Sequence, residues 1–336
     1  MRPTLFFSLS LLLVALLTAG GLLVGAVEIS PADVWRAITG DGADESTRFI
    51  IFESRLPAAC SALLCGLALG AGGLLMQTVL ENPLAEPGIL GVSAGASLGA
   101  AVALLLPGVA IGGALTAGGT LLTVSLALAG SLAVIAVLAL CSAMLRSNVL
   151  VLIAGVMVSY LVGSATSLLA FRATDFGVQT FVFWGMGDFG ALPSSRLAWL
   201  AVAVALGLIP LPFLAKSLDA LLLGSDYAAA LGIRVRPLRT GLLVVCGWLT
   251  AIVTAACGPI SFIGLAAPHI ARFLLHRSDH RTLLPGAALT GALLCLLTAI
   301  VCRLPAAGGT LPAAAVTPLI GVPVVLALIL QRRADI

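Results

Sequence analysis

From Leu56 to Leu80 the chain runs 25 residues without a charged side chain or a histidine. Hydrocarbon offers no water to a peptide group, so a stretch this long and apolar crosses a bilayer as a helix that closes its own hydrogen bonds. Nine other stretches read the same way: Leu5–Val27, Ile89–Leu106, Leu121–Leu145, Val149–Phe171, Leu197–Leu214, Leu238–Ala256, Pro259–Leu275, Leu283–Val301 and Leu311–Leu330. The fourth span can begin as early as Ala114, and only Cys257-Gly258 separates the seventh from the eighth. Of 336 residues, 60% are hydrophobic and 9% are charged, against about 25% charged in soluble domains. The expectation is an all-α polytopic membrane protein of about ten transmembrane helices, folded as one domain over 1–336. The 23-residue run Leu5–Val27 is long for a signal-peptide core and reads as a retained first span.

Charge placement orients the chain. With both termini inside, the inner segments carry Arg2, Arg146, Lys216, Arg234, Arg236, Arg239, Arg272, Arg277, Arg281, Arg332 and Arg333. The outer ones carry Arg36, Arg48, Arg55, Arg172, Arg196 and Arg303. Eleven of the 17 basic residues then face the cytoplasm, in the sense of the positive-inside rule. On the outer side, VQTFVFWGM is too short to span and reads as an interfacial or re-entrant helix, with Trp184 suited to the interface.

One inner segment, 216–239, is folded where a solvated loop would suffice. Ser225 is a candidate N-cap, Asp226 suits the positive start of a short helix, and Gly232 can end it with a left-handed residue. Leu218, Leu221 and Leu222 form an apolar stripe before it. Such punctuation fits a docking element, and equally an ordinary solvated loop with a frayed turn.

Several chemistries are excluded. A P-loop needs G-x-x-x-x-G-K-[ST], but the only lysine, Lys216, sits in FLAKSL. The spans lack central ionisable groups, which disfavours an ion-coupled secondary transporter. The seven cysteines lie in or at the ends of apolar runs without zinc or redox spacing, and His269, His276 and His280 form no ligand cluster. Gly66, Gly70 and Gly73 predict close helix packing. The fifth span starts after Ser147-Asn148 and carries Gly155, Ser159, Gly163 and Ser167 at four-residue spacing, with Thr166 beside them. That face can line a wet passage or pack on another helix. Between spans two and three, ENPLAEPGILGVSAGAS (81–97) has two acids and two prolines, which break the helix.

Arg55-Leu56-Pro57, that 81–97 stretch, LGSDYAAALGI at 223–233, GPISFIGLAAPHIAR at 258–272 and SDHRTLLPGAALTGA at 278–292 together carry a resemblance. The chain resembles the permeases of the iron-siderophore, haem and cobalamin ABC importers, from Leu5 to Leu330. The resemblance implies the type II ABC importer permease fold. It implies a second permease subunit (a homodimer), two copies of a cytoplasmic ATPase that carry ATP and Mg, and a periplasmic or lipid-anchored binding protein. No cofactor on this chain and no nucleic-acid partner are expected, and the site is the bacterial inner membrane. By the same resemblance Ser225, Asp226, Tyr227, Ala228, Leu231 and Gly232 belong to the ATPase-coupling helices. Gly155, Ser159, Gly163, Thr166 and Ser167 would line the passage, Ser147 and Asn148 would form its cytoplasmic gate, and Arg55 and Arg303 would meet the binding protein. Ala58-Ala59 stand where the cobalamin branch has a second arginine. That departure favours an iron-siderophore or haem cargo over cobalamin.

Overall fold

The computed structural model describes residues 2–40, 44–106, 117–145, 147–304 and 310–334. The described residues are helical or irregular, with no strand. In chain order the helices are α1 (Pro3–Leu23), α2 (Pro31–Thr39), α3 (Glu45–Phe49), α4 (Leu56–Val79), α5 (Val92–Leu105), α6 (Ala117–Met144), α7 (Asn148–Phe171) and α8 (Asp175–Gly185). There follow α9 (Leu197–Leu208), α10 (Leu211–Leu221), α11 (Ser225–Ala230), α12 (Val235–Cys257), α13 (Ile263–Leu275), α14 (His280–Cys302) and α15 (Ala313–Ala334). Each of the ten apolar stretches falls on a helix or helix pair. Among the described residues six helices are long and apolar enough to span, and α9 with α10 makes a seventh, bent by 42°. The bend falls at Ile209-Pro210, where proline can give no backbone hydrogen bond. Three apolar helices are short: α5, α13 and the Ala313–Leu326 part of α15.

The bundle is built around α4, which is buried along nearly its whole length. An all-round apolar helix has no face to give to solvent and belongs inside. Its glycines make the approach possible. A Cβ at Gly66 would overlap the carbonyl of Gly291 on α14, one at Gly70 the carbonyl of Ala287, and one at Gly73 the carbonyl of Gly264 on α13. Backbone therefore meets backbone on both sides, as the glycine spacing predicts.

The chain between α12 and α13 turns within the bundle. Gly258 (φ 77°) and Phe262 (φ 67°) both take left-handed backbone. Phe262 offers α13 no side-chain cap. Glu86, from the connection after α4, accepts the Phe262 N–H at 2.6 Å instead, which sets a carboxylate at the positive end of α13. The predicted span from Pro259 is thus shorter than expected, because its first residues form this turn. The VQTFVFWGM segment forms the short α8, whose N-cap Thr174 accepts from the Gly177 N–H. Phe181 and Trp184 stack 6.2 Å apart on it.

Candidate functional site

The polar residues gather at two opposite ends. At the end assigned to the outside, Ser194 Oγ donates to Glu53 at 2.6 Å and Arg303 donates to the Ser54 carbonyl at 3.1 Å. At the end assigned to the cytoplasm, Ser225 Oγ donates to Glu81 at 2.8 Å, and Asp219 accepts from His280 at 2.7 Å.

The end assigned to the cytoplasm carries an elbow, α10–α11. The amphipathic α10 buries Leu211, Leu218, Ala220 and Leu221 in the main apolar cluster. The chain then turns at Gly224 (φ 105°) into α11 and leaves it at Gly232 (φ 83°). The left-handed Gly232 matches the sequence expectation. Its N–H bonds the Ala229 carbonyl and the Ile233 N–H bonds the Ala228 carbonyl, which closes the helix end. Ser225 does not cap α11. Gly224 holds the N-cap position, and the Ser225 hydroxyl reaches across to Glu81 instead. Ala228 is fully buried and anchors the helix. Leu223, Tyr227 and Leu231 are 66%, 50% and 59% exposed, an apolar surface at the charged end of the molecule. Beside the elbow lies a cavity of about 950 Å³, lined among others by Gln77, Thr78, Glu81, Asp219, Arg272 and His280.

The family model of the FecCD transport family matches residues 11–331. The chain belongs to the FecCD transport family. It is 36% identical over 320 residues to the vitamin B12 import system permease protein BtuC of Salmonella schwarzengrund (strain CVM19633), covering 95% of this chain and 93% of that one. The BtuC of Salmonella paratyphi A (strain ATCC 9150 / SARB42) is 37% identical with the same coverage. A solved ABC transporter, described as of metal-chelate type and inward-facing, superposes with a TM-score of 0.85 at 27% identity. That match covers 98% of this chain and 100% of the other. A second solved structure, PsaBC from Streptococcus pneumoniae in complex with Fab, shares the fold at a TM-score of 0.54 and 14% identity, covering 88% and 95%. The FecCD chain is thus the multi-pass permease subunit of an ABC importer.

The face of α7 divides in two. Gly155 is buried, and a Cβ there would press on Leu90 at 2.8 Å. A Cβ at Gly91 would sit 2.7 Å from Ser159 Oγ. This lower half packs on the Pro87–Leu90 turn. Higher up, Gly163 meets nothing within 4 Å and Ser167 is exposed. Ser159, Thr166 and Ser167 each donate to the carbonyl four residues back, so their hydroxyls are satisfied within α7. Ser147 precedes α7 without capping it. The side chain of Asn148 lies outside the described residues, as does Arg146.

The two docking arginines part company. Arg55 is only 3% exposed. Its guanidinium donates to the carbonyls of Leu22 (2.7 Å), Leu23 (2.9 Å) and Val27. Leu22 and Leu23 end α1, where carbonyls lack helical partners and a cation is favoured. Three carbonyls of the chain itself thus hold Arg55, and little of its side chain reaches the surface. Arg303 is half-buried beside Asp188. Burial pulls its guanidinium below the ordinary value, and the Asp188 charge opposes that.

Sequence reasoning missed Glu86 as a cap and the Asp219–His280–Thr78 contact. Both join residues far apart in the chain, and no local spacing announces them.

Proposed function

We propose that this FecCD permease passes a bulky metal chelate across the bacterial inner membrane, with its termini in the cytoplasm, driven by a separate ABC ATPase. A binding protein outside delivers the chelate, and a second copy of the permease completes the passage. The observation that carries this is the α10–α11 elbow. It presents Leu223, Tyr227 and Leu231 to the surface from a helix fixed by two left-handed glycines. Exposed aromatic and aliphatic groups of this kind suit seating in a groove of a partner. The exposed upper part of the α7 face, from Gly163 to Ser167, supports a passage lining that binds weakly, with Ser147 and Asn148 at its cytoplasmic mouth. Outer docking then falls to Arg303 and to the exposed Arg48 rather than to Arg55.

Two chelate classes have support. Ala58-Ala59 favours an iron-siderophore or haem. The cobalamin permeases among the relatives favour a corrinoid. Titrating the cognate binding protein with cyanocobalamin, haem and ferric siderophores decides between them. The coupling reading is tested by cross-linking. A photo-reactive residue at Leu231 should capture the ATPase, and one at the exposed Leu161 on α7 should not; equal capture at both refutes it.

A further inference from the structure

We propose that Asp219, His280 and Thr78 form a buried clasp that carries movement of the elbow into α4, which makes His280 and Thr78 positioning residues for transport. The inference rests on the reading that α10–α11 seat the ATPase. Asp219 lies near the end of α10, His280 opens α14, and Thr78 lies in the last turn of α4. One carboxylate oxygen of Asp219 accepts both the backbone N–H and the Nδ1–H of His280, each at 2.7 Å. The other ring nitrogen, Nε2, lies 2.9 Å from Thr78 Oγ1. With the imidazole neutral, Nδ1 donates to Asp219 and Nε2 is an acceptor for the Thr78 hydroxyl, whose one proton it shares with the Leu74 carbonyl at 3.0 Å. One ring thus spans three elements.

Burial decides what the chain of bonds can do. His280 is 1% exposed and Thr78 is 4% exposed, while the Asp219 side chain is 36% exposed. The outer end is wet and the inner end is dry. Parting Nε2 from Thr78 would strand the ring nitrogen away from water, a costly state, while the Thr78 hydroxyl keeps the Leu74 carbonyl at 3.0 Å. When the elbow moves, the bonded groups move together more easily than they separate. The other tie, Ser225 to Glu81, is exposed, so water can replace either partner. The apolar contacts of Leu218 and Leu221 hold α10 down but have no direction. The clasp adds direction, and it ends on α4. Because α4 meets α13 and α14 backbone to backbone, a displacement of its inner end is passed to the core rather than absorbed by side chains.

The plain alternative is a histidine satisfied in a core, with no part in coupling. Thr78→Val separates the two, since it removes the hydroxyl at nearly constant shape, and Thr78→Ser restores it. The assay uses the full complex of permease, ATPase and binding protein in liposomes, and it reads ATP hydrolysis with and without the binding protein. Thr78→Val should keep basal hydrolysis within about twofold of wild type and lose at least about fivefold of the stimulation. Thr78→Ser should recover it. Wild-type stimulation in Thr78→Val, a parallel loss of basal and stimulated rates, or a Thr78→Ser as poor as Thr78→Val would each overturn the clasp. Gly232→Val, run alongside, tests the coupling reading itself. If Gly232→Val uncouples and Thr78→Val does not, only the clasp falls; if Gly232→Val keeps full stimulation, the coupling reading falls as well.

Discussion

An arginine in this chain can be an anchor or a signal, and its surroundings decide which. Arg55 closes the end of α1, so replacing it leaves several carbonyls unpaired in a covered site. Hydrogen bonds to charged groups contribute roughly 1.5–3 kcal/mol each. Arg55→Ala should therefore lower the thermal stability of the detergent-purified permease by the equivalent of about 3 kcal/mol. Arg303→Ala, which loses one such bond at a half-buried site, should cost less; equal losses would refute the anchor role. Gly232 sets a second prediction. At φ 83° with open space around it, a side chain fits but the backbone is strained by about 1 kcal/mol or more. Gly232→Val should insert normally and lose ligand-stimulated ATP hydrolysis; normal transport by a well-expressed variant would contradict the coupling role. Glu86→Gln keeps an acceptor for the Phe262 N–H and Glu86→Ala removes it, so Glu86→Ala should melt at a lower temperature than Glu86→Gln; equal melting temperatures would count against the cap.

At the scale of elements, the spacing of Gly66, Gly70 and Gly73 announces close packing, and the structure supplies the partners: α14 for two of them and α13 for the third. Gly70→Ala should force α4 and α14 apart, since a Cβ there meets backbone rather than a movable side chain. Overpacking of this kind costs typically 1–3 kcal/mol. Gly163→Ala, on the exposed face of α7, should be close to neutral; the comparison is read from yield and melting temperature. The ten apolar stretches were legible as helices because apolar runs need no partner to be recognised, although among the described residues only six, or seven with the bent pair, are long enough to span. Their internal breaks were less so. Leu197–Leu214 reads as one run, yet it bends at Pro210 and continues as α10 to Leu221. Pro259 looks like a helix start, but the turn from Gly258 to Phe262 delays α13 until Ile263. The left-handed Gly232 was readable from a local pattern of punctuation. Glu86 and Phe262, or Arg55 and the end of α1, meet only through the tertiary fold, and a linear pattern carries no trace of that.

For the whole molecule, the lone lysine outside any P-loop and the family membership lead to one expectation about energy. With the purified complex in liposomes, uptake should require ATP and survive an uncoupler. Uptake driven by a proton gradient without ATP would refute the importer mechanism. The half-length helices have a consequence for how such a chain is made. At 1.5 Å per residue, α13 with its 13 residues reaches about 20 Å, while the hydrocarbon is about 30 Å thick. Alone, α13 would leave the open backbone of the 258–262 turn among lipid tails, where nothing answers its polar groups. Glu86 supplies one answer, and it is synthesised long before α13. The nascent chain must therefore hold its early helices together at the site of insertion until α13 and α14 emerge, so biogenesis proceeds by assembly of a group rather than by release of one helix after another.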